Sequence, residues 1–441
     1  MARVPDFTYG QPLRGQNIRL VKIKLDSQMS TLKINLTEHN LEDVKFEAIS
    51  YVWGERSNIQ RIECNGRSMY IGESIIEVFW ELVRRQSTGF IWADAICINQ
   101  NDEIEKTRQV RMMRKIYKKA HRVIIWLGKG VAHDERGFHL AKTLYDTCGG
   151  ARYNIAETTY DFDMFDCESK GVPKPLGSED WEALFAILSH PWFSRVWVVQ
   201  ELLVARSSII WRGALDLKTY IVVWITMQIA RHKNLYESFD IFMGSPPISA
   251  LLARNIATGY IEFTETGPLS IYDTLSRYNG MKATDPRDRY FALAGISRID
   301  AKFINYEKSF RDIACLVGKM ALLGLSGYTF GLGGTEILFC NDKLEAHMFL
   351  LDWLTFHANP QNHLLGLPSW IPDLISPHSP GLIMSGFYNT MYLRNIIMIP
   401  LPKVRLRYRG GDWSGSSLPL PFIPVPDVRT HSCSPKIEDL D

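Results

Sequence analysis

The sequence predicts an α/β fold, in which helices flank a parallel sheet and a mostly helical C-terminal region follows. Two observations favour this class. Residues 90–128 contain an apolar run, a well-capped helical segment and a second apolar run, the pattern of a strand, a helix and a parallel strand. Beyond about residue 218, apolar residues recur mainly at helical spacing. We therefore predict a first domain over 1–217 and a mainly helical region over 218–395.

The segments before residue 90 predict three β regions and a helix. Residues 17–26 alternate apolar and polar positions, and residues 44–54 form a second strand pattern with Phe46, Ala48 and Ser50 on one side. Residues 61–72 carry an Asn-Gly pair between two short β-prone runs, which is typical of a hairpin. A helix is expected from Glu73 to Arg85.

The central unit has the clearest pattern. The near-continuous apolar run at 89–99 predicts a strand buried on both faces, and 121–128 predicts another. The helix between them can be capped by Asn101 or Asp102, and its charges complement the helix dipole at both ends.

Later segments are more mixed. The acidic, turn-rich residues 147–180 predict a long surface excursion, that is, a surface loop. Residues 178–190 predict a helix that stops at Pro191. Residues 207–217 predict a strand and a turn. The Pro-rich residues 396–441 predict a loosely ordered tail.

Composition narrows the partners and the compartment. With 50 Lys and Arg against 48 Asp and Glu, the formal net charge is +2, which gives no reason to expect nucleic acid as the main partner. No apolar run approaches the ~20 residues that a membrane-spanning helix needs. The 7 Cys are scattered without disulfide or zinc spacing. We expect a cytoplasmic protein with no membrane span, no nucleic-acid partner and no bound metal.

Motif absences exclude several enzyme classes. The sequence contains no phosphate loop, no G-x-S-x-G elbow, no H-E-x-x-H and no kinase signature set. P-loop, serine and zinc hydrolases of the common types are therefore not expected.

Two carboxylates within apolar stretches require an explanation. Burying Asp94 or Glu201 costs several kcal/mol unless the group is paired or hydrogen-bonded. A structural explanation has Asp94 accept hydrogen bonds from backbone amides or from Arg195, with Glu201 in a buried salt bridge or at an exposed helix position. A functional explanation has both carboxylates at the ends of strands, where open α/β sheets bind ligands. The pattern leaves both alternatives open.

Three blocks of the sequence resemble the HET (heterokaryon-incompatibility) domain of filamentous fungi. They are "FEAISYVWGE" (46–55), "FIWADAICINQNDEIEKTRQVRMMRKIYKKAHRVIIWLG" (90–128) and "HPWFSRVWVVQELLVAR" (190–206). Residues 283–296 and 367–374 resemble segments that commonly follow that domain. The resemblance implies non-self recognition and regulated cell death, with an incompatibility partner protein or allele product.

HET domains in turn are similar to TIR domains, which have a flavodoxin-like parallel sheet. "ISYVWGE" is similar to the first TIR strand and its loop, "VIIWLG" to the strand preceding the catalytic helix, and "RVWVVQEL" to the segment that places Trp197 four residues before Glu201. On a helix this spacing turns both side chains to one face.

This second resemblance implies a site that cleaves NAD⁺ as substrate, without a separate cofactor, in a homo-oligomer. Glu201 would be the catalytic residue. The residues expected to bind substrate are Ser50, Tyr51, Trp53, Asp94 and Trp197, while Arg195 and Asp102 are expected in structural or ion-pair roles.

Other functions fit the same blocks. The domain can be a non-enzymatic interaction scaffold, in which Asp94, Arg195 and Glu201 form a buried ion network, or an accessory protein of a fungal metabolic cluster. The position of Glu201 separates the first two hypotheses, because catalysis needs this side chain in an open cleft near Tyr51 and Trp53.

Overall fold

The computed structural model describes residues 5–26, 31–54, 58–147, 171–175, 177–231, 248–278 and 280–322. The chain divides into two compact units, 1–390 and 391–441, and every described residue lies in the first. The predicted tail, the segment 367–374 and most of the predicted excursion at 147–180 lie outside the described residues.

Within the described residues, nine strands join in one mixed sheet. The strands are β1 (Asn17–Asp26), β2 (Thr31–Asn40), β3 (Phe46–Tyr51), β4 (Ile59–Cys64), β5 (Arg67–Gly72), β6 (Phe90–Trp92), β7 (Arg122–Trp126), β8 (Ser208–Arg212) and β9 (Leu215–Lys218).

The α-helices of the described residues flank and follow this sheet. They are α1 (Glu73–Arg84), α2 (Asp94–Cys97), α3 (Glu103–Lys119), α4 (Asp134–Thr147), α5 (Glu179–Leu188), α6 (Trp197–Leu203), α7 (Thr219–Arg231), α8 (Ile248–Thr266), α9 (Ile271–Arg277), α10 (Asp288–Ala294) and α11 (Phe310–Leu322). The predicted helical region is confirmed in α7 to α11. No helix among the described residues is long and apolar enough to cross a membrane.

The centre of the sheet is the predicted parallel unit. The full order is β5-β4-β2-β1-β6-β3-β7-β8-β9, and neighbours within the run β6-β3-β7-β8 pair in parallel. In chain order this run is second, first, third, fourth, which is the flavodoxin-like arrangement. The chain therefore reverses its direction across the sheet at β3, and ligands of such sheets bind at the carboxyl ends of the strands beside that point.

Both faces of the central strands are covered, which explains their apolar sequence. Tyr117 of α3 packs edge-on against Trp92 on one face, with ring centroids 5.4 Å apart. On the opposite face, the guanidinium of Arg85, just after α1, lies 4.3 Å from the centroid of the Trp211 ring. Ile49 and Ile124, paired in the middle of the sheet, are fully buried.

Two predicted details of the turns and caps are confirmed. Asn65 and Gly66 both have positive φ, 52° and 76°, as a two-residue hairpin turn between β4 and β5 requires. The Asp102 side chain accepts hydrogen bonds from the backbone amides of Ile104 and Glu105 and so caps α3.

Two other details differ from the prediction. The strand expected over 89–99 ends after β6, because the chain turns into α2, where the Asp94 carboxylate accepts the Ala95 amide at 2.8 Å. The sequence analysis also missed β2, which pairs with β1 in an antiparallel hairpin. This hairpin shields the edge of β6 through the pairing of Val21 with Ile91.

Candidate functional site

Glu201 lies at the carboxyl end of the central strand β3, on the face that α6 covers. Its side chain accepts a hydrogen bond from the hydroxyl of Ser50, the penultimate residue of that strand. The same hydroxyl accepts the indole N–H of Trp192 at 2.7 Å. Trp192, Ser50 and Glu201 therefore form a buried hydrogen-bonded chain in which the proton of Ser50 is directed toward Glu201.

The surroundings of Glu201 hold its pKa close to neutral pH. Burial disfavours the carboxylate and, with the nearby charge of Asp94, raises the pKa to about 7, against the opposing effects of Arg195, Ser50 and Tyr117. Both protonation states of Glu201 are consequently populated near pH 7, as a group that exchanges protons requires.

Arg195 joins this cluster without forming the predicted ion network. Its guanidinium donates a hydrogen bond to the backbone carbonyl of Tyr51. Among the described residues, no carboxylate oxygen lies within 4.0 Å of its guanidinium nitrogens. The positive charge still lowers the pKa values of Asp94 and Glu201 through space. Of the structural and ion-pair roles expected for Arg195 and Asp102, the structure shows structural ones, because Arg195 binds a backbone carbonyl and Asp102 caps α3.

Trp53 and Asp94 form the outer rim of the cluster. The Trp53 side chain is 43% exposed, and its indole N–H donates to both carboxylate oxygens of Asp94, at 3.1 and 3.0 Å. Burial raises the pKa of Asp94, and the charge of Asp94 in turn raises the pKa of Glu201. Asp94 thus links the exposed loop after β3 to the buried carboxyl group.

Tyr51 lies on the opposite face of the sheet from Ser50, because successive side chains of a strand alternate. It pairs with Trp126 of β7. Its hydroxyl is buried and has no hydrogen-bond partner among the described residues, and burial raises its pKa well above the usual value. Only the main-chain carbonyl of Tyr51 takes part in the contacts around Arg195.

Trp197 contacts a part of the chain that the sequence analysis did not connect with the site. Its indole N–H donates to Asp288 Oδ2 at 3.0 Å. The hydroxyl of Tyr306 donates to the other oxygen of the same carboxylate at 2.5 Å. The resemblance of residues 283–296 to a family segment was the sequence signal that could have suggested this contact.

The TIR resemblance likens "VIIWLG" to a strand that precedes the catalytic helix. In the structure this strand is β7, and α4 and α5 lie between it and α6. Glu201 of α6 lies at the carboxyl ends of the parallel strands.

Glu201 does not face an open cleft. Its residue exposure is 1%. A cavity of about 490 Å³ lies beside α1, next to Glu77, Trp80 and Lys129, and one of about 660 Å³ lies at the amino ends of the central strands. Glu201 lines neither of them. The open cleft beside Glu201 that catalysis needs is therefore not present in this conformation.

A second buried carboxylate, Glu105, was not singled out by the sequence analysis. Arg19 donates to it through both terminal nitrogens, one of them at 2.9 Å from Oε2, and the Asn99 amide donates to Oε1 at 2.9 Å. Burial raises the pKa of Glu105, but these hydrogen bonds and the charge of Arg19 outweigh it, so that the net pKa lies below the usual value.

The thiol of Cys97 has no evident chemical role, and the described residues hold no metal-binding cluster. Cys97 is buried, and burial raises the pKa of its thiol to about 12, so that it carries little thiolate at neutral pH. Among the residues that the structure describes, no group of three or more His, Cys, Asp or Glu side chains could hold a metal ion.

The profile of the family described as Heterokaryon incompatibility protein (HET) matches residues 46–201. The range from the first residue of β3 to Glu201 is therefore similar to the HET domain.

One curated relative is "Heterokaryon incompatibility protein 6, OR allele" of Neurospora crassa, which is 28% identical to the chain over 190 residues. The aligned part covers 37% of this chain, and the chain spans only 28% of the length of that relative. No solved structure matches the chain.

Proposed function

We propose that this chain acts in heterokaryon incompatibility, with its HET domain as the part that signals non-self and triggers cell death, and with an incompatibility partner or allele product as the trigger. The family match and the Neurospora crassa relative support this role. One observation carries it. The two ends of the matched range meet in space, because Ser50 of β3 binds Glu201, so the matched range closes around one buried carboxyl network.

Inducible expression of the full chain in a fungal strain tests this proposal. We expect growth arrest and uptake of a vital dye, and we expect Glu201→Gln and Ser50→Ala to weaken both. Asp300→Asn serves as the control, because Asp300 caps a short 3-10 helix far along the chain from this network. Normal growth during strong expression of the intact chain would contradict the proposal.

At the chemical level, the proposal is that the HET domain cleaves NAD⁺ at Glu201. The bond between ribose C1 and the nicotinamide nitrogen breaks, and its electron pair leaves with nicotinamide. Water supplies a hydroxyl to C1 and releases a proton, which gives ADP-ribose. The Glu201 carboxylate would stabilise the positive charge that develops on the ribose. The pKa of about 7 and the place beside the reversal point at β3 support this assignment.

Burial of Glu201 adds a condition to this chemistry. The carboxyl group is sealed by Ser50 and Trp192, so the proposed reaction requires that self-association into a homo-oligomer opens the site. The test is NAD⁺ consumption and ADP-ribose formation by the purified full chain at rising protein concentration. We expect activity that rises more steeply than the protein concentration and is lost in Glu201→Gln. Intact NAD⁺ at every concentration would end the enzymatic proposal.

A non-enzymatic scaffold is the second candidate, and the hydrogen-bond chain through Trp192, Ser50 and Glu201 favours it. In this case the buried network holds one conformation of an interaction surface. Cell death with unchanged cellular NAD⁺, retained in Glu201→Gln, would support the scaffold against the enzyme.

A further inference from the structure

We propose that residues 281–308 hold α6 in position. This segment, which we call the clamp, lies beyond the matched range. Within it, Asp288 is the positioning residue that fixes Trp197 and thereby Glu201. The importance of Glu201 rests on the proposed function, whereas the mechanical role of the clamp does not.

The first tie between the clamp and α6 is made by the backbone. The amide of Val196 donates to the carbonyl of Lys282 at 3.0 Å, and the amide of Lys282 donates to the carbonyl of Ser194 at 2.6 Å. This pair of hydrogen bonds joins the two segments as a short β-bridge at the start of α6.

The second tie is the Asp288 carboxylate. Each of its oxygens accepts one hydrogen bond, from Trp197 of α6 and from Tyr306 of the clamp. Hydrogen bonds to a charged group are stronger than those between neutral groups. The indole of Trp197 is consequently fixed at the first residue of the helix that carries Glu201 one turn later.

The clamp is anchored in turn to α3, which packs on the sheet. The amide of Tyr306 donates to the hydroxyl of Thr107 at 3.1 Å, and Arg111 Nε donates to the carbonyl of Ile304 at 2.7 Å. The ammonium of Lys106 lies 4.3 Å from the centroid of the Tyr306 ring, a cation–π contact. These contacts connect α6 to a helix with a fixed place in the core.

The clamp also contacts the residue next to Glu201. A Cβ atom added to Gly295 would lie 1.4 Å from Gln200 Oε1, so the absence of a side chain allows the end of α10 to pack on Gln200. Trp197 and Gln200 are thus both held by the clamp, and the same helix presents Glu201 to Ser50. Movement of the C-terminal region can reach the carboxyl network by this route.

The test measures hydrogen exchange of α6 in the full chain. Asp288→Asn leaves one acceptor oxygen for the two donors, Trp197 and Tyr306. Trp197→Phe removes only the indole donor. Because hydrogen bonds to charged groups are worth about 1.5–3 kcal/mol, we expect α6 amides to exchange roughly ten- to hundredfold faster in either variant. The amides of α1 should be unchanged, and so should those of α6 in the control Asp312→Asn, an exposed residue beyond the clamp whose carboxylate accepts hydrogen bonds from Ser309.

Two further measurements separate positioning from a general loss of structure. The double variant of Trp197→Phe and Asp288→Asn should exchange no faster than the faster single variant, because both remove one shared interaction. The melting temperature of the chain with Glu201 should also be compared with that of Glu201→Gln at pH 5 and pH 8. In the presence of Asp288→Asn this difference should change less with pH, because water then reaches the carboxyl group of Glu201 and its pKa is raised less. Unchanged α6 exchange in both single variants, or fully additive effects, would overturn the clamp. Glu201→Gln alone should leave α6 protection intact, so a failure of the proposed function is distinguishable.

Discussion

Glu105 and Glu201 are equally buried, at 0% and 1% exposure, yet their environments shift the pKa of the two carboxyl groups in opposite directions. Arg19 pairs directly with Glu105 and neutralises its charge inside the protein. Glu201 has a hydroxyl donor, and the cation that lowers its pKa through space, Arg195, is hydrogen-bonded to a backbone carbonyl. Burial alone therefore does not identify a functional carboxyl group; the identity of the partner does.

The two groups give opposite dependences of stability on pH. The pKa of Glu105 is lowered in the folded state, so its contribution to stability is present above the unfolded pKa and is lost as the pH falls. The pKa of Glu201 is raised from 4.5 to about 7, so the folded state loses stability as the pH rises between these values. The first carboxylate is suited to a structural role, and the second changes protonation at the pH of a cell.

The largest expected effect is that of Glu105→Ala. The substitution leaves Arg19 as an uncompensated buried charge, which costs about 3–5 kcal/mol of unfolding free energy. Denaturation by urea measures this loss. The double substitution of Arg19 and Glu105 by Leu should recover most of it, because neither charge remains buried. A double variant less stable than the single one would show that the pair is net stabilising.

Glu201→Gln should produce a smaller effect with a distinct pH dependence. A pKa raised from 4.5 to about 7 corresponds to roughly 3 kcal/mol lost from the wild-type chain above neutral pH. We expect Glu201→Gln to gain about 2–3 kcal/mol relative to the wild type between pH 5 and pH 8, as measured by denaturation across that range. The exposed Glu182→Gln is the control. A pH-independent difference would show that the pKa of Glu201 is not raised.

Ser50→Ala tests the hydrogen-bond chain in which Ser50 links Trp192 to Glu201. It leaves the Trp192 indole N–H buried without an acceptor, at a cost of about 1–3 kcal/mol. It should also raise the pKa of Glu201 further, because the donation from Ser50 lowers it. Denaturation at pH 5 and pH 8 measures both effects, with Ser87→Ala as the control. Equal losses in the two serine variants would argue against the chain.

Trp53→Phe should have the smallest effect on stability. Its hydrogen bonds to Asp94 lie at the exposed rim, so we expect a loss below about 1 kcal/mol. The pKa of Asp94 should rise, because the donation from Trp53 lowers it, and carboxyl NMR titration can follow that change. A loss as large as that of Ser50→Ala would place Trp53 within the buried network.

The sequence predicted the centre of the fold better than its edges. Strand β7 is apolar on both faces, which is typical of a buried parallel strand, and β3 was predicted from the face that Phe46, Ala48 and Ser50 share. The run that contains β6 was ambiguous, because a continuous apolar segment does not separate a strand from a strand followed by a short helix. The alternation of buried Leu32, Ile34 and Leu36 in β2 was a signal that the sequence analysis overlooked.

The site was predictable only in part, because local spacing does not encode contacts between residues far apart in the sequence. As the sequence predicted, Ser50 and Asp94 lie at the carboxyl ends of strands; these are the neighbouring parallel strands β3 and β6. The contact between Trp197 and Asp288 joins residues 91 positions apart, and no local spacing encodes it. The opposite directions of Ser50 and Tyr51 followed from the alternation of a strand, although both residues were assigned to one binding site.

The antiparallel hairpin of β1 and β2 has a practical consequence for anyone who grafts this domain into a fusion protein. A fragment cut at the limits of the family match begins at Phe46 and lacks Arg19, so it carries an unpaired Glu105 and a bare backbone edge along β6. Such a fragment should precipitate during expression, while a fragment that keeps the N-terminal hairpin retains both partners.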